Sequence, residues 1–122
     1  MQVLQFLQQQ TLDLCALGVQ KDRIVWDAGT GFGKTVHQNF ALLQQQPVLA
    51  AAGYPLLAGW SRKGSLGKVT GREVGERMPA SIAAALLAVE HGAAVVRVHD
   101  VRETADALAV LRAMQRPDGL HV

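Results

Sequence analysis

Three times along the chain a short apolar run ends in a cluster of glycines and polar residues, and each cluster leads into a helical segment. The runs are Arg23 to Ala28, Leu56 to Trp60 and Ala94 to Val98. Strand, loop and helix repeating every thirty-five to forty residues or so imply parallel strands joined by right-handed crossovers. The three clusters then share one face, at the carboxyl ends of the strands, where parallel α/β architectures bind their ligands. Spacing alone leaves two architectures open, an open doubly wound sheet or a slice of a (β/α)8 barrel. Three parallel strands leave two open edges, so the pattern also predicts a covering partner or further strands.

The helices are read from periodicity. Val3, Leu4, Phe6, Leu7, Leu14 and Leu17 recur at near-helical spacing over residues 2 to 17, with Gly18 as the stop. Val36 to Gln46 reads as a second helix, which Pro47 interrupts or follows with another short one. Gly53-Tyr54-Pro55 is a turn, and Ser61 to Glu76 reads as a polar, glycine-punctuated loop. Pro79 to His91 is apolar round most of its circumference, which predicts burial on more than one side. Glu103 to Gln115 is amphipathic, and the tail from Arg116, with Pro117 and Gly119, reads as loose.

Composition narrows the function classes. At 122 residues the chain is the size of one domain, and 49% hydrophobic content excludes a disordered one. A formal charge of +2 gives no bulk argument for nucleic acid or a membrane surface. The longest apolar run, Ile82 to Val89, falls well short of a bilayer span. The start, MQVLQFLQQQ, lacks the basic-then-apolar pattern of a signal peptide, and a cytoplasmic location is the expectation. Cys15, the single cysteine, excludes an internal disulfide framework and reads as a small buried hydrophobe among Leu12, Leu14 and Leu17.

Together the strand-end clusters supply Lys34, Arg62, Lys63 and Arg97, one histidine (His99), two carboxylates (Asp27 and Asp100) and a glycine loop. That inventory suits an anionic ligand, most naturally a phosphate or pyrophosphate. A carboxylate at the base of such a pocket suits an N–H-rich ring. A competing pattern lies in the same residues: Ala28 to Thr35, A-G-T-G-F-G-K-T, fits a relaxed P-loop between strand and helix. Val95 to Asp100 then poses as the strand ending in a magnesium-side aspartate, although Arg97 and His99 are atypical there. That reading leaves Ser61-Arg62-Lys63 without a role.

The three clusters in order resemble one family, dihydropteroate synthase, from about Leu12 to Met114. The family's D-P-G-x-G-F-G-K motif stands here as Asp27 to Lys34, followed by Asn39 and Leu42-Leu43. Its G-x-S-R-K motif is Gly59 to Lys63 with Gly67 downstream, and its R-V-H-D-V motif is Arg97 to Val101, continuing into Glu103-Thr104. The resemblance implies a (β/α)8 barrel of which residues 1–122 are the C-terminal part, with about three parallel strands and no second domain. It implies a folate-pathway transferase, a sulfonamide target, joining 7,8-dihydropterin pyrophosphate to p-aminobenzoate and releasing pyrophosphate. Asp27 would hydrogen-bond the pterin, Lys63 would contact the pterin and help position p-aminobenzoate, and Arg97 and His99 would hold the diphosphate with Ser61 nearby. Gly31 and Phe32 would shape the pterin wall, with Gly59 and Arg62 completing the substrate contacts. Magnesium is implied as cofactor, but the family's asparagine ligand has no counterpart here, so no metal ligand is assigned within the chain. A homodimer through the last helices, or association through exposed strand edges, is implied as well.

Two positions depart from the family pattern. Ala28 replaces a proline, which predicts a looser turn after Asp27, and Gly64 replaces a serine that often contacts the p-aminobenzoate carboxylate. A complete barrel needs about 250 residues, so the isolated chain is expected to be an incomplete enzyme, or a non-catalytic fragment that associates. Other polar residues have plainer readings. Lys34 is as readily a loop lysine as a ligand. His37, His91 and His121 read as surface or cap residues, and Trp26 and Trp60 as packing. Arg72, Glu73, Glu76 and Arg77 read as a solvated helix start.

Overall fold

The computed structural model describes residues 2–120, and His121 lies outside them. Three parallel strands form one sheet in the order β1 (Trp26–Asp27), β2 (Leu56–Ala58), β3 (Ala93–Val96). The helices are α1 (Gln2–Ala16), α2 (Val36–Gln44), α3 (Gln46–Ala50), α4 (Gly64–Thr70), α5 (Met78–Glu90) and α6 (Val101–Gln115). Chain order matches spatial order, so each crossover steps one strand along the sheet, as successive β-α units do.

The sheet is held by two apolar clusters. Beside β1, Leu7 of α1, Ile24, Trp26, Leu42, Leu49 and Leu56 pack together. Trp26 anchors this group: its ring stacks on Tyr54 at 4.9 Å, and its Nε1 donates to Thr11 Oγ1 at 2.8 Å. Thr11 in turn donates to the Leu7 carbonyl, so the hydroxyl is used in both directions inside the core. The second cluster joins Leu43, Ala58, Trp60, Leu66, Ala84 and Ala88. The small residues of α5 let it lie close to the sheet, and Gln46 Nε2 donates to the Ala88 carbonyl at 2.8 Å. His91, at the α5 cap, bonds through Nδ1 to the Leu43 carbonyl at 2.9 Å.

Several expectations need correction. The strands are shorter than read, because Lys21–Arg23 forms a 3-10 turn and pairing on β1 begins only at Trp26. The Ser61 to Glu76 loop contains α4 and a further 3-10 turn at Val74–Glu76. Glycines at 64 and 67 hide that helix in the sequence, and burial of Ser65 and Leu66 together with a left-handed Gly71 cap supports it. Cys15 is exposed, since α1 buries only Leu7 and Thr11 and turns the other side outward. The tail folds into a 3-10 turn at Pro117–Gly119. Pro47 opens the short helix α3, and Trp26 and Trp60 are buried packing residues, as read.

Candidate functional site

The strand ends converge on a cleft of about 730 Å³. Asp27 comes from β1, Gly59, Ser61, Arg62 and Lys63 from the segment after β2, and Arg97 and His99 from the segment after β3. Phe32 enters from the glycine loop, and Val74 and Val98 add apolar wall. Eight of the nine sequence-predicted site residues line this cleft. The ninth, Gly31, stands beside it: a Cβ there would meet Lys63 Cδ at 3.3 Å.

Register explains the placement. Irregular pairing between Leu56/Leu57 and the Ala93–Val95 stretch leaves an extra residue on β3, and the strand then continues with Arg97 N–H donating to the Ala58 carbonyl at 2.9 Å. Arg97 and His99, two residues apart, share a face. Arg97 Nη1 lies 3.4 Å from Asp27 Oδ2, an ion pair with both members substantially exposed. Its guanidinium crosses directly over Gly59, where any Cβ would collide with it. Ser61 Oγ is 2.8 Å from His99 Nδ1 and accepts from the His99 backbone N–H at 3.2 Å. Among the described residues His99 Nε2 has no hydrogen-bond partner, so the ring keeps one nitrogen for a ligand.

The glycine loop is fixed from within. Asp27 Oδ1 accepts from Gly29 N–H at 2.8 Å, a turn bond that spans Ala28. Gly31 N–H donates to Asn39 Oδ1 at 2.9 Å, and Phe32 N–H to the Gly29 carbonyl at 3.0 Å. Asn39, 2% exposed, also donates from Nδ2 to Ser65 Oγ, tying the loop to α4. Lys34 curls back, its Nζ 2.9 Å from the Gly29 carbonyl and 3.3 Å from that of Phe32. Thr35 caps α2 in a capping box with Gln38. This geometry disfavours the P-loop alternative at Ala28 to Thr35. A phosphate cradle needs free loop N–H groups and a lysine aimed outward, whereas here the N–H groups of Gly29, Gly31, Phe32 and Thr35 bond within the loop and its helix, and Lys34 is turned inward.

Electrostatically the cleft is cationic, three positive side chains to one lining carboxylate. Lys63 Nζ sits over the Phe32 ring, 4.7 Å from its centre, and Phe32 is exposed. Arg62 donates to Asp100 at 3.1 Å and is tethered rather than free. Sequence reasoning missed Arg77 and Ser81, which hold the Arg62 backbone. Arg77 lay in a mixed-charge run and Ser81 in an apolar helix, so neither carried a signal.

A family model described as pterin binding enzyme matches residues 1–99. The chain belongs to this family. Among its pterin-binding relatives, the dihydropteroate synthase of Haemophilus influenzae is 46% identical over 111 residues, covering 91% of this chain and 40% of the relative. The crystal structure of the Stenotrophomonas maltophilia dihydropteroate synthase, with imidazole in its active site, superposes with a TM-score of 0.92 at 45% identity. It aligns with 93% of this chain and 43% of its own. The Xanthomonas albilineans enzyme in complex with 7,8-dihydropteroate matches equally, at TM-score 0.92 and 45% identity over 93% of this chain and 44% of that one. The three strands and their helices therefore match part of the synthase barrel, and the chain spans roughly two-fifths of each relative's length.

Proposed function

We propose that the cleft is the diphosphate side and part of the pterin floor of a dihydropteroate synthase, residues 1–122 forming a single segment of its barrel. The observation that carries this reading is the convergence of Asp27, Ser61, Lys63, Arg97 and His99 on one cationic cleft, in a member of the pterin-binding family. The substrates are 7,8-dihydropterin pyrophosphate and p-aminobenzoate. As the bond between the pterin methylene and the diphosphate oxygen breaks, its electron pair leaves with pyrophosphate. Arg97 and His99 stabilise that charge, and Asp27 stabilises the electron-poor methylene while accepting from the pterin ring. The arylamine nitrogen then forms the new C–N bond and releases its surplus proton to solvent, so no strong base is needed. The exposed, solvent-screened Asp27–Arg97 pair opens readily, which frees Arg97 to turn toward the diphosphate.

Magnesium is used by the synthase family. No group of three His, Cys, Asp or Glu side chains that would hold a metal occurs among the described residues. Asp27 and Asp100 each face a guanidinium, so this donor set fits an anion and not the ion, and no step above runs through it. No helix among the described residues is long and apolar enough to cross a membrane, and we place the protein in the cytoplasm. A second copy of the chain is the partner we assign to the uncovered strand edges.

Titration calorimetry with the pterin pyrophosphate tests the reading. The chain takes up this ligand, Asp27→Asn loses it, and ATP gives no heat. ATP binding that disappears in Lys34→Ala would restore the P-loop instead.

A further inference from the structure

Arg62 is the one non-glycine residue with a positive φ, +58°, among the described residues. A side chain in this left-handed region is strained and persists only when its surroundings over-determine it. Here they do. The Arg62 N–H donates to Ser81 Oγ at 2.8 Å, and the Arg62 carbonyl accepts from Arg77 Nη1 at 3.1 Å. These groups belong to the two peptide planes that flank the Arg62 Cα, so clamping both fixes φ and ψ together.

Each clamp is itself secured. The buried Ser81 hydroxyl donates to the Arg77 carbonyl at 2.6 Å, which leaves it oriented to accept from Arg62. Arg77 Nε donates to the Arg72 carbonyl at 3.1 Å, and the guanidinium lies against Gly67 of α4, where a Cβ would collide with it. Gly67 has an ordinary helical backbone, so what requires glycine there is the passage of the arginine and not a positive φ.

We propose that Arg77 and Ser81 are positioning residues that lock the Arg62 peptides and thereby aim Lys63, the next residue, across Phe32 at the cleft. If Arg62 relaxed to the right-handed region, the chain would leave it on another course and carry the Lys63 ammonium away. The consequence for binding rests on the cleft being the diphosphate and pterin site, whereas the lock itself does not.

Two readouts on the full chain separate these. Amide hydrogen exchange at Arg62 without ligand reports the lock, and calorimetry with inorganic pyrophosphate reports the cleft. Ser81→Ala speeds exchange at Arg62 about tenfold or more and weakens pyrophosphate binding by about tenfold, while Ser81→Thr, which keeps the hydroxyl, stays near the parent in both. Gly67→Ala favours helix α4 yet displaces the arginine, so it weakens binding without lowering the helix's own stability. Unchanged exchange at Arg62 in Ser81→Ala overturns the lock. Faster exchange with unaltered pyrophosphate affinity overturns the positioning role. A parent chain that takes up no pyrophosphate overturns the reading of the cleft, and exchange at Arg62 still decides the lock.

Discussion

At Gly59 a single methyl group would occupy the space through which the Arg97 guanidinium crosses to Asp27. Gly59→Ala is therefore expected to displace Arg97 while leaving the strand intact, because Gly59 has no positive φ to lose. On the proposed function this removes one charge-assisted contact to the diphosphate, and pyrophosphate binding should weaken about tenfold or more, measurable by calorimetry with a melting curve as control. His99 depends on Ser61 in a comparable way. Removing the hydroxyl by Ser61→Ala frees the ring and takes a partner from the His99 N–H. Pyrophosphate affinity should fall by a smaller factor than for Arg97→Ala, since a neutral hydrogen bond is worth about half a charged one. Equal losses would mean that the histidine's orientation matters as much as the arginine's charge.

Between elements, tight approaches do most of the positioning. Gly92, at φ +103°, links α5 to β3, and a Cβ there would stand 2.7 Å from that of Ala50. Gly92→Ala meets both a left-handed backbone and a steric clash, so it should cost about 2 kcal/mol or more and lower Tm by roughly 5–10 °C. A melting temperature within a degree of the parent would show that α3 moves aside. Trp26 ties α1 to the sheet through Thr11. Trp26→Phe keeps the stack on Tyr54 but deletes the N–H, and about 1 kcal/mol should go with it. The loss should appear as faster hydrogen exchange across α1 in advance of the rest.

For the whole molecule, the accessible surface of 8004 Å² exceeds the roughly 6,400 Å² typical of a closed 13.1 kDa monomer. Among the described residues β1 and β3 have no outer neighbour in the sheet, and α1 presents Phe6, Leu12 and Leu14 to solvent. Apolar surface and unpaired strand edges of this kind recruit further chain. Light scattering of the purified chain is expected to show species larger than a monomer, growing with concentration and indifferent to Asp27→Ala or Arg97→Ala. A strict monomer at high concentration would refute association through these edges.

Much of this was legible in the residues themselves. The three strand–loop–helix units, their parallel pairing and the meeting of their polar ends followed from periodicity and from the handedness of crossovers. The glycine loop, Gly59 to Lys63 and Arg97 to His99 were already marked as the candidate site, and all three border one cleft. What sequence could not carry was anything settled by contact between distant segments. Helix α4 exists despite its glycines because Leu66 and Ser65 find a core to enter, and Cys15 is exposed because α1 has too little sheet to cover it. The octet from Ala28 to Thr35 fits two motifs by pattern alone, and only the fold shows Asn39 holding the Gly31 N–H and Lys34 curled back onto the loop. Local patterns determine the three strand–loop–helix units and the end at which their chemistry collects. Only the packed molecule decides which polar groups are spent holding one another, as Arg77 and Ser81 are on Arg62, and which remain for a ligand, because that allocation depends on distances between residues the chain brings together only by folding.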